Sequence, residues 1–444
     1  MEQCLRKQGV VNRDRISQFP EALLLQILSR LPTKDAIATS VLSKRWRSIW
    51  KMVPRLEFNS HYQNLHKFSE NVARSLLLHK APILESLHIK VTDRLEGRSE
   101  SDIYIGIWSG IAFARHVREF VLHLFFKRPV RFPSSMFNSN NTLETLKLKC
   151  SVRLDVPSRF CMKSLRTLHL LSVDFIDNKS IRYLISGCPN LENLVIDRGY
   201  PNVVRTFVIL APSLKTLSIK DYGRLEDGGY VITAPSLRYL KIKEFSHCGC
   251  CLIDNAPMLV EANIGNVSYL ANETILGSLK SAKRLFLDLS PLEITYPTGT
   301  IFYQLVNLEM DTRKAEWSNL LALMLESSPK LQVLKLTDVR FQPLDLNKVG
   351  VIGGKWNQPK NVPECLLSHL KKFVWKGYDW ERGEEKEVAT YILKKASQLK
   401  NAIFFTSSIQ SKELNRLEER CQMIKELDGV VRASSSCHLE FVEW

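Results

Sequence analysis

His247, Cys248, Cys250 and Cys251 place an imidazole and three thiols within five residues, a combination that suits a soft metal ion. A structural zinc site needs four such ligands, usually as two spaced pairs, and no second pair stands nearby. The tract falls between two periodic apolar segments, where cysteine serves as a small core residue, so it reads as packing. Gly353-Gly354-Lys355 lacks the earlier glycine and the following Ser or Thr of a phosphate loop and reads as a turn. Neither Gly-x-Ser-x-Gly nor His-Glu-x-x-His occurs. The chain is therefore expected to bind rather than to catalyse, with no metal and no resident cofactor.

The chemistry that remains is adhesion. The stretch FPEALLLQILSRLPTK, residues 19–34, crowds Leu23, Leu24, Leu25, Ile27, Leu28 and Leu31 into about two helical turns. Pro20 suits the first position of a helix, and Leu23, Leu24, Ile27, Leu28 and Leu31 follow at i, i+1, i+4, i+5 and i+8. Pro32 ends that helix, and Thr33 is placed to cap a second carrying Ala36, Ile37 and Val41. Ser43 opens a third, with Trp46, Ile49 and Trp50 on one face. Three helices in about forty residues have little room for a core of their own, so apolar side chains are left over. Leftover apolar surface marks an interaction site.

The rest of the chain is a repeat. APILESLHI, NTLETLKLK, MKSLRTLHL, CPNLENLVI, APSLKTLSI, APSLRYLKI, APMLVEANI and SPKLQVLKL share one template, in which an apolar residue, two variable ones and an alternating apolar pair follow a turn. The first apolar position recurs at Leu84, Val117, Leu143, Leu165, Leu191, Leu214, Leu237, Leu259, Ala282, Leu305, Leu331 and Leu370. Spacings are 22–26 residues from Val117 to Leu331, with 33 before and 39 after. That period is the leucine-rich-repeat range, and each repeat ends in a period-2 strand whose apolar side is buried only by stacking on its neighbours. Pro343, Gly350, Gly353, Gly354, Pro359 and Pro363 mark the longest interval as a loop-rich junction.

Beyond it, LSHLKKFVWKGY keeps the template, and EEKEVATYILKKASQL is an amphipathic helix. NAIFFTSS reads as a strand, and SKELNRLEERCQMIKEL as a helix with Ser411 at its N-cap and Leu414, Leu417, Cys421 and Ile424 inward. CHLEF is a last strand. Strand–helix–strand–helix–strand extends the repeat sheet and caps the open end of the stack.

Totals bound the class. A hydrophobic fraction of 45% with 24% charged residues is that of a folded globular chain. No run of about 18 uncharged apolar residues offers a membrane-spanning helix. MEQCLRKQGVVNRDR lacks the apolar core of a signal peptide, so the expected compartment is the nucleus or cytoplasm. There the ten cysteines are expected as free thiols in apolar positions, and the sequons at Asn266 and Asn272 are expected to stay unmodified. The net charge of +16 is spread along the chain without a basic block and reads as a solvated surface or a match to an acidic partner; nucleic acid is not expected.

The segment DRISQFPEALLLQILSRLPTKDAIATSVLSKRWRSIW resembles the F-box of plant F-box proteins over nearly its full length, with Phe19 where that family usually has Leu before Pro20. VPECLLSHLKKFVWKGYDWERGEEKEVATYILKKASQLKNAIFF resembles the FBD domain that follows leucine-rich repeats in many of them. The resemblance implies an α/β fold: an all-α three-helix F-box at 13–58 after a tail at 1–12, then an irregular leucine-rich-repeat solenoid at 59–345. A junction at 346–362 and an FBD region with its cap at 363–444 complete it. It also implies a Skp-family adaptor as partner and, through it, cullin and RING subunits of an SCF-type ubiquitin ligase, with an unknown protein substrate on the repeats. By position, Phe19, Pro20, Leu23, Leu24, Ile27, Leu28, Leu31, Val41, Leu42 and Trp46 are the adaptor-binding residues, about half of them reaching the adaptor and the rest forming the module's core. Two alternatives stay open: a small-molecule receptor holding an inositol phosphate, which clustered Lys and Arg on one repeat face would favour, and a scaffold outside any ligase.

Overall fold

A computed structural model describes residues 16, 19–61, 64–92, 99–138, 142–199, 204–222, 228–245, 250–254, 256–267, 273–289, 299–338, 356–378, 383–406 and 414–443. The 1–12 tail, His247, Cys248, Pro343, Gly350, Gly353-Gly354-Lys355, Ser411 and the side chains of Leu414 and Leu417 lie outside them. Two compact units divide the chain, Met1–Ser151 and Val152–Trp444.

The first unit opens with α1 (Glu21–Leu28), α2 (Thr33–Ala38) and α3 (Lys44–Ile49), and continues into β1 (Arg55–Asn59). Then come α4 (Leu65–Leu78), β2 (Ser86–Val91), α5 (Ser99–Ala114), β3 (Glu119–Leu124), β4 (Val130–Phe132) and β5 (Thr145–Cys150). β1, β2, β3 and β5 are neighbours in one parallel ladder, Leu56 facing Leu87, Leu87 facing Phe120 and Phe120 facing Leu146. The long interval between Leu84 and Val117 is explained by α5, which occupies half of it. Asn64 caps α4, its Oδ1 accepting from the His66 and Lys67 N–H groups at 2.9 and 3.4 Å.

In the second unit the ladder strands are β7 (Thr167–Leu171), β9 (Asn193–Arg198), β11 (Thr216–Asp221), β13 (Tyr239–Phe245), β15 (Glu261–Val267), β16 (Arg284–Asp288), β17 (Asn307–Asp311), β18 (Val333–Thr337), β19 (Lys372–Lys376), β20 (Asn401–Thr406) and β21 (His438–Glu443). Each pairs in parallel with the next. On the opposite side of the repeats run β6 (Val152–Leu154) with β8 (Asp174–Phe175), and β10 (Thr206–Leu210), β12 (Gly229–Thr233) and β14 (Cys250–Asp254). Helices α6 (Asn178–Ser186), α7 (Glu273–Ser278), α8 (Trp317–Ser327), α9 (Glu364–Ser368), α10 (Gly383–Lys395) and α11 (Leu414–Asp428) lie in other repeats and in the C-terminal region.

The spacing now has a physical cause. Repeats backed by β10, β12 or β14 measure 22 or 23 residues, those backed by the nine- and eleven-residue helices α6 and α8 measure 26, and the one backed by the six-residue α7 measures 23. A helix advances about 1.5 Å per residue against about 3.3 Å for a strand, so the longer helices α6 and α8 take more residues to cross a repeat, while the short α7 does not lengthen its own. Every template position from Leu84 to Leu370 is buried, and β11 alternates half-buried and buried residues as period-2 pairing requires. Cys150, Ser172, Glu244 and Asn266, each next after the third outward position of its strand, take a left-handed φ of 50–66°, and β13 and β15 still pair beyond it, Phe245 facing Val267.

The C-terminal order β19, α10, β20, α11, β21 is the expected one, and β21 is the last strand of the ladder. Phe373, Trp375, Tyr378 and Phe404 pack ring to ring, and Trp317 meets Trp375 edge-on at 5.7 Å. The face assigned to α11 needs correction: Cys421 is exposed and Ile424 half-buried, while Met423 and Leu427 point inward. The seam chosen from sequence was the wrong stripe of a helix whose apolar residues do not form a single band. The cysteines also divide: Cys188, Cys251 and Cys365 are buried, but Cys161 and Cys421 are exposed. Burial pushes the Cys188 and Cys365 thiols up to about 12. Cys250 and Cys251 start β14, the latter fully packed.

Candidate functional site

Pro20 enters α1 with extended backbone, and its carbonyl accepts from the Leu23 and Leu24 N–H groups at 3.0 and 3.2 Å. Pro32 does the same for α2, receiving Asp35 and Ala36 at 2.9 and 3.0 Å. Thr33 is not a side-chain cap. It is the first residue of α2, buried, and its Oγ1 accepts from the Glu57 N–H at 2.6 Å, which fastens the helices to β1. Ser43 occupies the N-cap position of α3 without a side-chain capping bond.

Leu24, Leu28, Ala36, Trp46, Ile49, Trp50 and Val53 form the core of this module, with Leu25 and Ile37 packed against it. Leu24 and Leu28 have 0% exposure and Trp46 has 4%, which puts these three among those of the ten that form the module's core. They sit one helical face away from the surface and support it from beneath. Phe19, Leu23, Ile27 and Leu31, spaced by four, each keep 41–45% of their surface open. Val41 and Leu42, at the turn before α3, reach 84% and 64%, and Pro20 is exposed as well. The Arg45 guanidinium donates to the Phe19 carbonyl at 2.7 Å and pins the start of the exposed row to α3. Sequence spacing located the set but could not separate i+1 from i+4 faces before the second and third helices were placed.

The outward faces of the two ladders differ. In the second unit, Lys220 lies in register between Asp197 and Lys243, and further strands place Asp288 and Asp311 in that row. Cross-repeat pairs neutralise much of the charge: Arg166 and Lys215 on Glu192 at 2.7 and 2.9 Å, Arg284 on Glu261 at 2.8 Å, and Lys335 on Glu309 at 3.7 Å. Lys and Arg are therefore interspersed with carboxylates there, not clustered. In the first unit, Glu119 takes Lys147 at 2.9 Å and His88 at 3.4 Å, and these partners hold its carboxyl below its ordinary range despite partial burial. Among the described residues no group of three or more His, Cys, Asp or Glu side chains is arranged to hold a metal ion.

The F-box domain profile matches residues 16–58, the FBD profile residues 358–404, and the profile of the leucine-rich repeats of FBD-associated F-box protein At5g56370 residues 105–268. Among curated proteins, F-box/FBD/LRR-repeat protein At3g52680 of Arabidopsis thaliana is 54% identical, the match covering 99% of this chain and 96% of that one. This chain belongs to the F-box/FBD/LRR-repeat family. F-box/FBD/LRR-repeat proteins At3g51530 and At2g04230 of the same plant are 57% and 52% identical, over 98% and 99% of this chain and 95% and 99% of theirs. In family terms the exposed Phe19–Leu42 residues lie on the F-box, and its profile ends inside β1, where Thr33 joins module to sheet.

Proposed function

We propose that the chain is the substrate-recognition subunit of an SCF-type cullin-RING ubiquitin ligase. In this reading Phe19, Pro20, Leu23, Ile27, Leu31, Val41 and Leu42 dock on a Skp-family adaptor, which links the chain to the cullin and RING subunits. The leucine-rich repeats hold a target protein, and the expected compartment is the nucleus or cytoplasm. One observation carries the reading: the F-box fills its own core with Leu24, Leu28, Trp46, Ile49 and Trp50 and still leaves a second set of apolar side chains in solvent. Such a set has no structural task in the module and is the hallmark of a docking face. The chain would act by proximity, holding a target lysine near a charged ubiquitin-conjugating enzyme and so raising its effective concentration.

The test is a titration of the full chain with a purified plant Skp-family adaptor. Leu23→Asp combined with Ile27→Asp is expected to leave the melting temperature unchanged and to weaken binding by about a hundredfold, since both side chains are exposed until the partner covers them. A wild-type chain that does not bind, or a double variant that binds as tightly, overturns the reading. Charges at Leu24 or Leu28 would be uninformative, because an ion at a fully buried position unfolds the module instead.

A further inference from the structure

Lys90, His123 and Lys149 stand side by side across β2, β3 and β5: Lys90 faces His123, and His123 faces Lys149. Neighbouring strands lie about 4.8 Å apart, so the two lysine backbones flank the histidine within about 10 Å. All three project from the outward face of the first unit, Lys90 and Lys149 exposed and His123 half-buried. Neither ammonium has a carboxylate partner among the described residues. The carboxylate on β3 is Glu119, already occupied by Lys147 and His88 at the far end of the strands. The exposed Phe125 ring closes one side of the row, 4.5 Å from the imidazole, and exposed Lys127 and Arg128 follow it on the next turn. The Cys150 sulfur lies 3.8 Å from His123 Nε2.

We propose that Lys90, His123 and Lys149 form a binding site for a phosphate monoester carried on a peptide, the phosphorylated segment of a recognised target. The proposal rests on the substrate-recognition reading above. Two ammonium groups about 10 Å apart at the backbone have stems long enough to converge on one dianionic phosphate, with the imidazole between them as a third donor. The patch is narrow, with Asn59 continuing the row on β1 and Glu57 and Glu119 on the same face. A compact dianion fits such a boundary, whereas an extended polyanion would run onto those carboxylates. Burial, reinforced by the field of Lys149 and Lys90, drives the empty-site imidazole down to about 4. A bound phosphate would oppose that field and favour a proton on His123, so binding tightens as pH falls toward the phosphate's own second pKa of about 6.

The experiment uses the full chain and a degenerate peptide library with a fixed central phosphoserine, against the same library with serine and against single-stranded RNA. Affinity is followed across pH, together with the ring signals of His123 by NMR. Preferential binding of the phosphoserine library is expected, weakened about tenfold or more in Lys90→Ala/Lys149→Ala, with His123 taking up a proton on binding. His123→Gln should keep the phosphopeptide preference and lose most of the pH dependence. Equal binding of the two libraries, an unaffected lysine double variant, or a preference for RNA overturns the proposal. Adaptor binding measured on the same variants separates the two readings: it is expected unchanged, and its loss in wild type would count against the ligase role and not against the phosphate site.

Discussion

The buried His79 imidazole donates from Nε2 to the Val53 carbonyl at 2.7 Å, tying the end of α4 to the last core residue of the F-box. The carbonyl can only accept, so Nε2 carries the proton of that bond, and Nδ1 is an acceptor because Arg115, whose guanidinium can only donate, lies 3.1 Å from it while a second N–H reaches the His79 carbonyl at 2.8 Å. The ring is therefore neutral, with its proton on Nε2. Burial is the main reason it stays so, and the Arg115 charge adds to the effect, the Val53 bond opposing both.

A pH dependence follows. A base whose folded pKa is depressed binds fewer protons folded than unfolded below its ordinary value of 6.5, so stability is present above that value and falls as pH drops beneath it. His123, driven down to about 4, adds in the same direction. Protection factors of the β1 and α4 amides, taken relative to the intrinsic exchange rate at each pH, are expected to fall on going from about pH 7.5 to about 5.5, and His79→Gln should flatten that response. A slope identical in the variant would show that His79 does not carry it.

Truncations within the F-box should split cleanly by face. Leu28→Ala opens a cavity at a fully buried site and is expected to cost about 2–5 kcal/mol in denaturant unfolding. Val41→Ala and Leu42→Ala remove solvent-exposed carbons and should stay within about 0.5 kcal/mol of wild type. Equal costs at the two kinds of position would mean that the exposed row is packed in solution.

Much of this arrangement was legible beforehand, and particular residues mark where legibility stopped. The ladder was readable because Leu214, Leu217 and Ile219 repeat a local rule that each neighbour obeys, and parallel stacking leaves the register no freedom. α1 was readable as a helix, but Leu23 and Leu24 are both leucines one residue apart. Only the placement of Trp46 and Trp50 from α3 and the following turn decides which faces inward. Thr33 looked like a cap because helix starts favour it. Its hydroxyl went to Glu57 because β1 needed a partner for an N–H that the next strand does not use. The Lys90–His123–Lys149 row was invisible in one dimension, its members being 33 and 26 residues apart.

In the second unit, Arg198 and Asp221 are both buried and joined at 2.9 Å. Tyr230 donates to the same Asp221 oxygen at 2.9 Å, and Arg198 also donates to the Val204 carbonyl at 2.7 Å and lies over the Phe207 ring. Asp221→Ala strands a buried guanidinium and is expected to cost about 3–5 kcal/mol. Tyr230→Phe removes one donor and should cost about 1–3 kcal/mol. Thermal melting of the two variants checks the order, and a Tyr230→Phe loss as large as that of Asp221→Ala would refute it.

Two glycines should respond with opposite sign. Gly377 follows β19 with φ +73°, and a Cβ there would run into the Asp338 carbonyl. Gly377→Ala combines left-handed strain with a backbone clash and is expected to destabilise by about 1–3 kcal/mol. Gly277, inside α7, has nothing within 4 Å of where its Cβ would stand. Gly277→Ala is expected to stabilise by about 0.4–1 kcal/mol, since it removes unfolded-state freedom at a site already helical. Denaturant midpoints of the two single variants test the pair, and a stabilising Gly377→Ala would show that the turn after β19 relaxes without loss.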